Sequence, residues 1–259
     1  VFGAILPLGL APWNWWAVSI FSLVGLALLL KDRSISSCFW RSFWFGMGLF
    51  GSGASWVFFS IHDFGNADLW LAASLTLLFI TAPALSVAIP MAFYGVFSRY
   101  PAATLLAFPS LWMIAEIFRS WMLTGFPWLY VGYGFIDTPL AGWAPVTGAL
   151  SISFIAAATA ITVVSALDMN KRPASFQLSL LMVLALWFGG WLMQDKEWNM
   201  PLDHTLEVGS IQPSIPLATK WDPAKLDEIL ATYRQQTEQL LDADIIVWPE
   251  SAIPRLEHD

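Results

Sequence analysis

Charge is what this sequence has least of. Charged side chains make up 12% of its 259 residues, about half of the roughly 25% found in an ordinary soluble domain. A water-soluble globule is therefore a poor reading of most of the chain. Cysteine is nearly absent: Cys38 stands alone, so no disulfide can form within the chain. The three histidines, His62, His204 and His258, lie far apart and lack the spacing of a ligand set, so no metal is expected. Lys and Arg total 12 against 19 Asp and Glu, and no basic patch marks a nucleic-acid partner. There is no internal repeat and no low-complexity tract. The chain opens on Val1 inside an apolar run without a charged leader. A native start upstream is expected, and no cleavable signal peptide is read, because the first helix of a polytopic protein directs insertion itself.

What is present is apolar length. Hydrophobic residues make up 57% of the chain, and 16 are Trp. A helix crosses a bilayer in about 20 apolar residues, and Trp collects at the lipid–water interface. Six full spans are predicted, roughly over 14–30, 39–61, 69–97, 103–123, 145–167 and 176–193, with a partial one ending near Leu10. Pro83 and Pro90 are expected to kink or tilt the third. Lys31, Arg33 and Arg41, then Arg99, then Lys171 and Arg172 fall in alternate turns. The segments His62–Asp68 and Thr124–Ala144 carry no Lys or Arg. The positive-inside rule places the basic turns in the cytoplasm, and by parity everything after Met193 on the outer side, the periplasm of a Gram-negative cell.

The composition changes towards the end. Residues 1–193 hold seven Lys/Arg and six Asp/Glu, whereas residues 194–259 hold five and thirteen. A short strand is predicted over 205–211, an amphipathic helix over 223–241 with Asp222 as its N-cap, and a second, tightly apolar strand over 244–248. Strand–helix–strand is how a buried α/β sheet begins. Two domains are expected: a transmembrane helical domain over 1–193, and over 194–259 the opening of a water-facing α/β domain that 66 residues cannot complete.

Glu250 is the strongest chemical candidate. It follows an apolar strand in Trp248-Pro249-Glu250-Ser251-Ala252-Ile253-Pro254, and active groups of open α/β sheets gather at the carboxyl ends of strands. A carboxylate placed rigidly there, and partly desolvated, suits a general base; the plainer reading is a solvated glutamate closing a turn. Trp221 is either a loop residue that admits or holds an acyl chain or a hydrophobic staple for the next helix. Glu116 and Arg119 share a helix face three residues apart. They are either a lipid head-group contact, with Arg119 toward the phosphate, or an intramembrane ion pair locking helices, the reading that membrane energetics first demand. Gly125-Phe126-Pro127-Trp128 is a rigid aromatic turn that either floors the outer domain and lines the lipid entrance or belongs to an aromatic belt. Gly46-x-Gly48-x-x-Gly51 matches a dinucleotide fingerprint in letters but lacks the strand–turn–helix context. Gly48 with Ser52 and Gly51 with Ser55 fit small-residue helix packing instead. Cys38 sits at the cytoplasmic start of a span, about 30 Å from the outer face, and reads as a buried packing residue.

The Trp-Pro-Glu-Ser-Ala-Ile-Pro run resembles the first catalytic motif of the nitrilase superfamily, in the form used by bacterial apolipoprotein N-acyltransferases. Phe45-Gly46-Met47-Gly48-Leu49-Phe50-Gly51-Ser52-Gly53 with Trp56, Leu123-Thr124-Gly125-Phe126-Pro127-Trp128, and Thr219-Lys220-Trp221-Asp222 extend the resemblance, in order, over nearly the whole chain. The resemblance implies an α-helical polytopic membrane bundle of six to seven spans, followed by the start of a nitrilase-like α/β domain facing the periplasm from the inner membrane. It implies a Glu–Lys–Cys triad: the thiol takes an acyl chain from a phospholipid as a thioester, and the diacylglyceryl-cysteine amine of an apolipoprotein accepts it, with no cofactor. Glu250 takes the Glu role. After Glu250 there is one basic residue, Arg255, and no cysteine, so the chain reads as an amino-terminal fragment, inactive alone. Trp221, Arg119 and Trp128 are the candidate substrate contacts. Two other readings remain open: a membrane-tethered amidase using Glu250 with water as acceptor, and a multi-span transporter using Glu116 and Arg119 in a pore.

Overall fold

The computed structural model describes residues 1–97, 100–167, 173–200 and 204–254. Arg99, Lys171, Arg172, Arg255 and His258, which enter the sequence reading, lie outside the described residues. The chain divides into two compact units, Val1–Trp198 and Asn199–Asp259.

The first unit is helical. After a short helix Phe2–Ile5 come α1 (Trp16–Leu30), α2 (Ile35–Gly53), α3 (Leu69–Ala92), α4 (Pro101–Trp121), α5 (Ala144–Ala166) and α6 (Pro173–Met193). Two starts are fixed by side-chain caps, which satisfy amides that the helix leaves unpaired. Ser34 accepts from the Ser37 amide and Asp68 from the Leu71 amide, at 3.3 and 2.9 Å. Among the described residues, three helices are long and apolar enough to cross a membrane: Leu69–Phe97, Pro139–Ala166 and Ala174–Met193. A fourth is gained if Ile35–Gly53 and Val57–Phe64, bent by 62° at the break between them, form one broken span. The expected count of six to seven is finer than this: α1 has only 15 residues, and α4 carries Glu116 and Arg119. Helix α3 runs on through Pro83 and Pro90.

The core gathers Leu23 and Leu26 of α1, Phe45 and Leu49 of α2, Val87 of α3, Trp112 of α4 and Ala157 of α5. Close approach of α2 and α3 depends on Gly46, where an added Cβ would stand 2.8 Å from the Ala84 Cα. Gly48 is similarly tight against Ala4, whereas Gly51 has nothing within 4 Å, so the Gly51–Ser55 pair is not a packing contact. Cys38 is buried, its thiol facing the Leu30 and Arg33 carbonyls.

The second unit has β1 (Val208–Ser210), α7 (Leu226–Glu238) and β2 (Ile245–Val247). The strands pair in parallel, Gly209 opposite Ile246, and α7 supplies the crossover that parallel strands require. Asp222 begins the helical segment through a 3₁₀ turn, accepting from the Ala224 amide at 2.9 Å. A small core of Ile211, Ile229, Tyr233 and Ala252 fixes helix to strands.

Candidate functional site

In the second unit, the parallel pair delivers Trp248–Pro254 at the carboxyl end of β2. The last ladder bond, from the Ile211 amide to the Val247 carbonyl at 3.0 Å, fixes where the strand stops. Pro249 cannot donate to a ladder. The Trp248 ring stacks on Tyr233 of α7 at 5.1 Å, and Ala252 returns to the core. Glu250 is thereby held in a tight turn, with Ser251 in the left-handed region at φ 52°. The Lys220 ammonium donates to the Glu250 carbonyl at 3.1 Å, so Thr219–Asp222 and Trp248–Pro254 meet. Lys220 is not among the candidates that the sequence singles out. Its signal is its place in Thr219-Lys220-Trp221-Asp222, where the Trp draws the attention.

Two expectations need adjusting. The Glu250 side chain is exposed rather than partly desolvated, because the sheet has two strands among the described residues and neither covers the turn. Trp221 is 56% exposed, too open for a hydrophobic staple.

In the first unit, Glu116 and Arg119 are each 1% exposed. The ion pair expected between them is not formed. Glu116 Oε2 and both Arg119 Nη atoms have no hydrogen-bond partner among the described residues. Each side chain instead turns to the segment that follows α4. Glu116 Oε1 accepts from the Val131 amide at 3.0 Å and from the Trp112 indole at 3.1 Å. The Tyr130 hydroxyl donates to the Glu116 carbonyl at 3.3 Å. Burial raises the Tyr130 phenol above its ordinary value, which keeps it a donor. Arg119 Nε donates to the Phe126 carbonyl at 3.2 Å, and the guanidinium carbon lies 5.0 Å from the Phe50 and Tyr130 ring centroids. Spacing puts both residues on one face but does not reveal that the bonds they do make go mainly to the next loop rather than to each other.

That loop is conformationally costly. Leu123, Thr124, Gly125 and Leu129 all have positive φ, and each non-glycine in that region costs about 1–3 kcal/mol unless its surroundings enforce it. The enforcement comes from the bonds just described and from an aromatic cluster in which Phe126 contacts Phe50, Phe79 and Trp128. Trp128, 53% exposed, packs on Trp56 at 5.2 Å. The Phe45–Gly53 run with Trp56 and the Gly125–Trp128 turn, separate in sequence, are thus joined through Phe50 and Trp56. Among the described residues no cluster of His, Cys, Asp or Glu is placed to hold a metal ion.

Residues 2–162 match the apolipoprotein N-acyltransferase N-terminal domain family. The chain belongs to that family. Among curated relatives, the apolipoprotein N-acyltransferase of Pseudomonas syringae pv. tomato is 41% identical over 258 residues, covering 98% of this chain and 51% of its own. That of Pseudomonas aeruginosa PAO1 is 40% identical over 258 residues, covering 98% and 50%. That of Coxiella burnetii is 39% identical over 261 residues, covering 98% and 53%. The chain thus spans about half the length of the curated relatives it matches. In this family's N-terminal domain lie the Glu116–Arg119 pair and the loop they hold, whereas Glu250 falls beyond the matched residues.

Proposed function

We propose that this chain forms the membrane part, and the opening of the periplasmic nitrilase-like domain, of an apolipoprotein N-acyltransferase of the bacterial inner membrane. Residues 1–193 make the membrane domain, with six spans once the bent pair, α1 and α4 are counted and a seventh, partial one ending near Leu10, and 194–259 begin the catalytic domain. The enzyme moves an acyl chain from a phospholipid to the amine of an apolipoprotein's diacylglyceryl-cysteine. The observation that carries the reading is Glu250, fixed in a tight turn at the carboxyl end of a parallel strand and tied to the Thr219–Asp222 segment by Lys220.

In the mechanism the resemblance implies, Glu250 takes the proton from a cysteine thiol as that sulfur attacks the ester carbonyl. Glu250 gives that proton to the departing lysophospholipid oxygen and a thioester remains; it then takes a proton from the attacking amine as the amide forms and returns it to the departing sulfur, which regenerates the thiol. The one cysteine of the chain, Cys38, is buried in the helical core. In the second unit exposed Trp221 offers apolar surface to an acyl chain; in the first unit exposed Trp128 does the same, and Arg119 serves the acyl donor.

The test uses the full-length gene product with phospholipid vesicles and a diacylglyceryl peptide. Glu250→Gln keeps the shape and removes the base, so acyl transfer should fall about 10²–10⁴-fold, the range general-base catalysis supplies. Undiminished thioester formation by that variant overturns the assignment.

A further inference from the structure

Arg119 is a cation buried in an apolar bundle with most of its donors unspent. Its Nε is fixed on the Phe126 carbonyl and its plane lies against two aromatic rings, Phe50 and Tyr130. The two Nη atoms have no hydrogen-bond partner among the described residues, and the neighbouring acid, Glu116, gives Oε1 to Val131 and Trp112 and leaves Oε2 without a partner, so the two charges are near but not joined. A guanidinium buried this way is expensive unless an anion meets it. Its free pair of nitrogens is the fork that takes two oxygens of a phosphate at once. The loop over 122–129 lies against it through the Phe126 carbonyl, and Leu123, Thr124 and Leu129 of that loop hold left-handed conformations that cost energy.

We infer that Arg119 is a binding residue for the phosphate of a membrane phospholipid, covered by the 122–129 loop and reached when that loop lifts. The anion takes the two Nη positions; Nε leaves the Phe126 carbonyl as the loop lifts and regains it when the loop returns, while the Phe50 and Tyr130 rings hold the plane. The inference rests on the proposed acyl-transfer reading only in taking a phospholipid as the ligand, and it deepens that reading by placing the head group.

The experiment labels arginines of the full-length wild-type protein with phenylglyoxal and follows the Arg119 peptide by mass spectrometry. Phosphatidylglycerol vesicles should slow labelling of Arg119 at least about tenfold, the factor that a charged hydrogen-bonded pair supplies; diacylglycerol in neutral detergent should not. Equal labelling in both, or no labelling in either, overturns the inference. Equal protection by millimolar inorganic phosphate also overturns it, by making free phosphate the ligand. A second readout uses turnover. Arg119→Gln should raise KM for phosphatidylglycerol about 10- to 100-fold with little change in kcat, and leave an acyl ester without phosphate unaffected; Arg119→Lys should fall between. Equal loss with both donors shows a structural role and overturns the inference. Because protection is read without turnover, absent thioester with protection intact sinks the acyl-transfer reading alone.

Discussion

The two units expose apolar side chains to a similar degree and for opposite reasons. In Val1–Trp198, Leu77, Leu78, Leu181 and Leu184 are more than half exposed, yet all lie on helices whose backbone bonds are internal. A helix with its backbone satisfied can meet lipid with its side chains. In Asn199–Asp259, Val208, Ile245 and Val247 are 56, 44 and 47% exposed on a sheet that has two strands among the described residues, each of them an edge there. Gly209 and Ile246 face the small core, and the opposite face, with Val208, Ile245 and Val247, is open, whereas parallel sheets are covered on both sides. Hydrophobic exposure is a finished surface in one unit and an unfilled interface in the other.

Hydrogen exchange on the 259-residue chain in detergent sharpens that contrast most. Amides inside α3 and α5, such as Val87 and Ala157, sit in the large core, whereas Gly209 and Ile246 depend on four buried residues, Ile211, Ile229, Tyr233 and Ala252. The helical amides should exchange at least about a thousandfold more slowly, the factor that roughly 4 kcal/mol of opening free energy makes. Comparable protection in both units would show that the strands are already covered.

A smaller effect tests the loop inside the helical unit. Glu116→Ala removes the acceptor for the Val131 amide and the Trp112 indole and leaves Arg119 without a neighbouring carboxylate. Stranding buried donors and a buried charge costs about 3–5 kcal/mol, so the thermal midpoint should drop clearly, while Glu116→Gln, which still offers an acceptor, should recover part of it. A midpoint unchanged by Glu116→Ala would show that the carboxylate does not hold the loop.

Helices and strands are legible where one period dominates. The apolar runs announce α2, α3, α5 and α6; Asp222 announces the helical turn, and Ile245-Ile246-Val247 announces β2. The break between Gly53 and Val57 is not legible, because both sides are apolar and Ala54, Ser55 and Trp56 between them include neither a proline nor a charge. At the candidate site, Glu250 can be named from its motif, and its place after a strand is visible in the spacing. Its exposure cannot be read, since that depends on strands in contact rather than on neighbours in sequence. The partners of Glu116 and Arg119 are hidden for a related reason. Val131 and Phe126 become reachable only because Leu123, Thr124 and Leu129 adopt backbone conformations that no sequence rule assigns to a leucine or a threonine.

The smallest effect is expected at Lys220, where the two units differ most in how a polar contact is made. The Arg119 contact is buried; the bond from Lys220 to the Glu250 carbonyl is exposed. Water competes for it, so Lys220→Ala should cost no more than about 1 kcal/mol of stability. Its effect on function is separable from that. Lys220 grips the backbone of the residue that carries the base, so its loss should lower kcat of the full-length protein a few-fold, as small misplacements of a base do, with KM for the phospholipid unchanged. Lys220→Arg, which keeps a donor at similar reach, should restore most of the rate. A KM effect without a kcat effect would instead assign Lys220 to the lipid, and leave the turn around Glu250 held by Tyr233 and Ala252 alone.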